Sequence, residues 1–121
     1  MHAIFHTTRV LVANPSGATL YEGRGSGVPL RRMREIDPTG KTSAPVDAQR
    51  FALRLIDELE HERIQGAFGR LAVVAPPKML GLIQGSLPGT LRGMLVATLD
   101  KDMRDSRPEA IHEELSEEAM I

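Results

Sequence analysis

The sequence predicts a single α/β domain with a mixed five-stranded sheet, in the order 3-2-1-4-5, flanked by helices. Three observations carry that reading. Three short strand-like segments come first, separated by turns rich in glycine and proline. An amphipathic stretch with clear helical spacing follows, and from there apolar strand runs alternate with helix starts. One domain spans residues 1–121, a length that supports a real hydrophobic core, with 1–7 expected as a flexible tail and 117–121 as a frayed end.

Thr8–Ala13 reads as a short buried strand with Arg-Val-Leu-Val-Ala at its centre. The turn Asn14-Pro15-Ser16-Gly17 follows, because Pro15 pre-sets φ and Gly17 accepts positive φ. Ala18–Glu22 alternates, with Ala18, Leu20 and Glu22 on one face and Thr19 and Tyr21 on the other, which completes a hairpin. The flexible connection 23–27 leads to a third strand, Val28–Ile36. Its alternation slips between Leu30 and Met33, and Pro29 lies near its start, so a bulged or partly exposed edge strand is expected.

After a loop at Asp37–Ala44, the residues Ala48, Phe51, Ala52, Leu55, Ile56 and Leu59 recur at helical spacing. Pro45 suits the first turn, Asp47 the positive helix end and Gly66 the stop, giving a helix of about 20 residues and roughly 30 Å. Leu71–Ala75 is apolar on both faces and reads as a central, doubly covered strand. Lys78–Gln84 is a short helix, Thr90–Gly93 another turn of helix, and Met94–Leu99 a fifth strand. Ser106-Arg107-Pro108-Glu109 has the form of a capping box, after which Ile111, Leu115 and Ala119 stripe a last, acidic helix. A meander followed by right-handed crossovers sets the fourth strand beside and parallel to the first, a ribonuclease H-like arrangement with elements βββαβαβα.

Composition narrows the function classes. Three Phe, one Tyr and no Trp argue against the ring platforms that stack single-stranded bases. With no Cys, disulfides, thiol chemistry and thiolate metal sites are excluded. No signal peptide is read at the start and no run of about 18 apolar residues exists, so no membrane span is expected and the cytosol is the default. The charge is uneven: residues 1–54 carry eight basic and four acidic side chains, a net +4, and residues 55–121 carry seven and twelve, a net −5. Two solvated faces explain this. A sharper reading is a basic patch at Arg24, Arg31, Arg32, Arg34 and Lys41 that meets RNA or an acidic partner.

Most motif-like stretches carry no chemistry. Gly40-Lys41-Thr42 would end a phosphate loop only with a glycine five positions earlier, and that position holds Glu35. The glycines 23, 25 and 27 open a strand and not a helix, so no dinucleotide cofactor follows from them. The central strands lack the carboxylates of a two-metal nuclease. Asp100, Asp102 and Asp105 are weak metal candidates, better read as turn or cap acids. His2, His6, His61 and His112 form no ligand pair, and no serine sits in a nucleophile elbow. Neither a catalytic constellation nor a cofactor is expected. One site keeps interest: Pro76, Pro77 and Lys78 lie where a buried parallel strand ends and a helix begins, a place where an anionic small ligand can gather.

Phe51–Leu59, Arg70–Gly81 with its Val74-Ala75-Pro76-Pro77, Leu87–Leu91, and Thr98-Leu99-Asp100-Lys101-Asp102 resemble the bacterial host attachment protein family. The opening Arg9–Asn14 and Ala18–Tyr21 resemble that family's first hairpin, so the likeness runs from about residue 8 to 112. The resemblance implies a fold related to the middle domain of archaeo-eukaryotic peptide-chain release factors. This chain departs from it in two ways. The loop before the long helix is short, at Asp37 to Ala44, and the Gly-Gly-Gln of true release factors is absent. No catalytic residue carries over. The resemblance and the basic first part point to a non-enzymatic binding module that contacts the ribosome, RNA or another macromolecule. The alternatives are a small-ligand or phosphoester enzyme at Pro76–Lys78 and an interaction protein in cell attachment. An exposed edge strand also makes a homodimer plausible.

Overall fold

Two seven-residue strands, β1 (Thr8–Asn14) and β2 (Gly17–Gly23), pair antiparallel along their whole length, from Thr8 opposite Gly23 to Asn14 opposite Gly17. The computed structural model that shows this describes residues 7–25, 27–39 and 47–118. The hairpin loop is Pro15-Ser16, closed by Asn14 Oδ1, which accepts the Ser16 N–H at 2.8 Å. Gly17 then takes φ +156°, with the Arg104 guanidinium 2.5 Å from where a β-carbon would stand. A side chain there would strain the backbone and push the Arg104 guanidinium aside, so glycine suits the position.

β3 (Arg31–Ile36) adds antiparallel to β2, and α1 (Ala48–Ile64) carries the chain back to β4 (Arg70–Val74), which lies parallel to β1. The helices α2 (Pro77–Ser86) and α3 (Gly89–Arg92) connect to β5 (Leu95–Leu99), parallel to β4, and α4 (Pro108–Glu118) follows. The strands lie in the order β3-β2-β1-β4-β5, as the sequence predicts. Side chains alternate across this sheet because a strand has period two. Leu11, Leu20, Leu71 and Val73 therefore meet Phe51, Leu55 and Leu59 of α1 and Met79 and Ile83 of α2. Val10, Val12, Ala72 and Val74 face the other way, onto Ile111 and Leu115 of α4. The result is a three-layer core with the apolar strands β1 and β4 at its centre.

Several boundaries differ from expectation, each for a local reason. β3 begins at Arg31 and not Val28: Pro29 has no N–H to donate, the Val28 N–H bonds the Gly25 carbonyl in a turn, and Leu30 turns into the α4-side core. The slip in β3 is a bulge at Met33, since Leu20 and Tyr21 face Arg34 and Arg32. β5 carries a second bulge at Val96. α1 has 17 residues, with Asp47 as its N-cap accepting the Arg50 N–H, and Gly66 at φ +74° ends it; Pro45 lies outside the described residues. The capping box at Ser106 does not form. Pro108 takes the first helical position, so the Arg107 carbonyl receives the first helix bonds, from Ala110 and Ile111.

Candidate functional site

β3 is the outer strand of the antiparallel side, and most of its residues are exposed. That places Arg31, Arg32 and Arg34 at one edge of the molecule, with Arg24 on the connection leading to them. Lys41, the remaining member of the sequence-derived patch, lies outside the described residues. None of the four arginines is a lone charge. Arg31 donates from Nε and Nη2 to Glu22 Oε1 at 3.2 and 2.8 Å, and Arg24 approaches the same carboxylate at 3.5 Å. Arg32 pairs with Glu35 at 2.8 Å and lies 6.0 Å from the Tyr21 ring centre on the opposite face. Arg34 bonds Glu58 at 2.7 Å and Glu62 at 3.1 Å, both on α1.

Period two explains the division. Glu22 faces the same side as Ala18 and Leu20, toward α1, and stands beside Arg9 in the register. Its side chain is only 9% exposed, and the hydrogen bond from Arg31 holds its carboxyl below the usual glutamate value. Arg9, more buried still, donates from Nε to Glu62 Oε1 at 2.7 Å and lies 5.5 Å from the Phe68 ring centre. For Arg34, burial works against the charge, yet Glu58 and Glu62 outweigh it and raise its pKa. Sequence reasoning missed Glu22 and Arg9 as members of this edge. The signal was present: each is a charge at an inward position of a strand, which requires a partner when buried.

The carboxyl ends of the parallel strands form a second site. Asn14 at the end of β1 donates from Nδ2 to the Asp102 carboxylate at 3.2 and 3.3 Å, and Asp102 also accepts the Arg104 N–H. Pro76 is the N-cap of α2, Pro77 opens the helix, and Lys78 is exposed in its first turn. Lys101 bonds Glu114 of α4, which raises its pKa. Asp100 and Asp105 are exposed, and among the described residues no three His, Asp or Glu side chains gather in a group that could hold a metal.

Shallow depressions lie elsewhere among the described residues. One of about 330 Å³ is lined by Asp57, Glu58 and His61 on α1. Another, of about 200 Å³, lies among Gln84, Leu87, Arg92 and Leu95, where Arg92 donates to the Gln84 and Leu87 carbonyls. Among the described residues no helix is long and apolar enough to cross a membrane.

The fold recurs in known structures. An archaeal protein superposes with a TM-score of 0.51 at 12% identity, covering 91% of this chain and 40% of that one. The crystal structure of an archaeal translation termination factor, aRF1, gives a TM-score of 0.49 at 16% identity, covering 93% of this chain and 38% of the other. This chain thus spans about two fifths of the length of either. No curated protein matches it in sequence. The family model described as "Protein required for attachment to host cells" matches residues 39–115, more than half of the chain. That match covers α1 through most of α4, with β4 and β5 between them, and the chain belongs to this family.

Proposed function

We propose that this chain is a non-enzymatic binding module of the bacterial cytosol that contacts an RNA-containing partner, the translation machinery first among them. One observation carries the reading: Arg24, Arg31, Arg32 and Arg34 all reach solvent along the β2–β3 edge. Clustered arginines on one edge are what phosphate backbones bind, since the guanidinium is always charged and presents a planar fork. The sequence likeness to a family related to release-factor domains supports translation as the setting.

Co-sedimentation of the protein with ribosomes and with tRNA across a salt series tests this. Binding should fall steadily with salt, and replacing Arg24, Arg31 and Arg32 together by Ala should weaken it at every salt. Absence of binding at low ionic strength would overturn the reading.

Lys78 favours a second reading, an anionic small ligand at the carboxyl edge of the sheet. It stands exposed in the first turn of α2, and among the described residues it has no ion-pair partner. Unchanged anion affinity in Lys78→Ala would remove that reading. The family's description suggests a role in attachment to host cells, which adhesion of a deletion strain would measure directly.

A further inference from the structure

The arginines of the β2–β3 edge differ in how their charge is used. Arg9 and Arg34 together face Glu58 and Glu62, two positive against two negative, and leave no surplus. Arg32 faces Glu35, which is itself 54% exposed and so gives no rigid anchor, with Arg104 a further 3.8 Å from it. Glu22 alone is a buried carboxylate with two exposed guanidiniums on it: Arg24 and Arg31 are each 65% exposed while Glu22 is 9% exposed. Two positive charges against one negative leave one positive charge at that point.

Geometry makes this more than a local excess. Two guanidinium groups repel one another and would separate in solvent. Glu22 stands near the end of β2, opposite Arg9 on one side and Arg31 on the other, so the sheet fixes its backbone while Arg31 holds its carboxylate at 2.8 Å. Arg31 spends Nε and one Nη2 hydrogen on Oε1, and Arg24 reaches both carboxylate oxygens from Nη2 at 3.5 Å. With five N–H donors per guanidinium, both Nη1 groups are left over, and among the described residues neither arginine makes a further hydrogen bond. The arrangement is a pair of forks held side by side with unspent donors facing solvent. Tetrahedral phosphate oxygens match such forks, and holding two long side chains in place beforehand lowers the ordering cost of binding.

We infer that Glu22 is the positioning residue of a phosphate site formed by Arg24 and Arg31, and that the phosphates it takes belong to an RNA backbone. The inference rests on the proposed RNA-binding role and specifies where that role resides. It makes a prediction of unusual sign. Removing Glu22 adds a net positive charge, so a site that worked by field alone would bind RNA more tightly. A site that works by positioning binds it more weakly.

The test is fluorescence anisotropy with a labelled RNA hairpin, alongside calorimetric titration with tripolyphosphate. Glu22→Met, near in size but without the carboxylate, should weaken RNA binding about fivefold despite the lost negative charge. Arg24→Ala and Arg31→Lys should each weaken it about five- to tenfold, the second because it keeps the charge and loses the fork. Arg32→Ala should have a smaller effect than either. RNA binding equal to or tighter than wild type in Glu22→Met would overturn the positioning role. Should that variant fail to fold, unchanged binding in Arg31→Lys would overturn the site. Wild-type RNA binding indifferent to Arg24 and Arg31 would overturn the site while leaving the broader role standing; no RNA binding by the wild type would end both. Tripolyphosphate bound as tightly as the hairpin would overturn the RNA assignment in favour of a free phosphate ligand.

Discussion

Arg9 of β1 and Glu62 of α1 are joined at 2.7 Å across 53 residues of chain, with the arginine 3% and the glutamate 15% exposed. The pair is asymmetric. Glu62 also receives Arg34, whereas among the described residues the other hydrogen-bond and ring contacts of Arg9 are the Tyr21 carbonyl at 3.5 Å and the face of Phe68. Glu62→Gln therefore leaves the more buried charge short of its counter-ion and should cost about 3–5 kcal/mol. Arg9→Met leaves Glu62 with Arg34 and fills the space with apolar volume, so its cost should be smaller, about 1–2 kcal/mol. Urea denaturation of both variants checks the order, and Arg9→Met as the costlier change would refute it.

Gly17 and Arg104 make a second prediction. A β-carbon at Gly17 would stand 2.5 Å from Arg104 Nη2 on a backbone of φ +156°. Gly17→Ala should destabilise the fold by about 1–2 kcal/mol, part from the clash and part from the backbone. In an Arg104→Ala background the clash portion disappears, and thermal melts should show a reduced penalty. An identical penalty in both backgrounds would mean that Arg104 is not its source.

Acid should act through Glu22. Its carboxyl titrates below the ordinary value of 4.5, chiefly because Arg31 hydrogen-bonds the charged form. A depressed carboxyl contributes stability that is fully present above the unfolded value and is lost as pH falls through the lower, folded one. Wild-type stability should therefore drop below about pH 4.5, and part of that drop should vanish in Glu22→Gln. Superimposable stability profiles from pH 6 to pH 2 would assign the acid sensitivity to other groups.

The two sheet edges bear on self-association. Both outer strands carry the bulge themselves, at Met33 in β3 and Val96 in β5. A bulge twists an edge away from a straight partner, and β3 adds Arg31, Arg32, Arg34 and Glu35 as charged guards. The exposed edge that makes pairing plausible on sequence is thus poorly shaped for it. Light scattering on the purified protein should give the monomer mass at tens of micromolar, and a stable dimer would show that the bulges do not protect these edges.

Much of this architecture follows from local rules that act within one element. Leu55 and Leu59 repeat at helical spacing, Leu71–Ala75 is apolar on both faces, and Asn14–Gly17 has turn chemistry, so helix, central strand and hairpin are legible before any contact is known. The strand order follows too, because crossover handedness leaves few alternatives. Element ends were less legible. At Ser106 the capping pattern and Pro108 compete for the helix start, and the fixed φ of Pro108 prevails.

The candidate site divides along the same line. The sequence by itself determined that the first part of the chain is +4 and the second −5, and that four arginines crowd between residues 24 and 34. Which of those charges remain available only the tertiary structure decided. Folding α1 onto the sheet brings Glu58 and Glu62 of the acidic part against Arg9 and Arg34 of the basic part, and neutralises them there. The strand register sets Glu22 opposite Arg31, leaving a positive surplus on a buried carboxylate at Arg24 and Arg31. The reason is physical: periodicity is a property of neighbours in sequence, while an ion pair depends on distances that only packing sets.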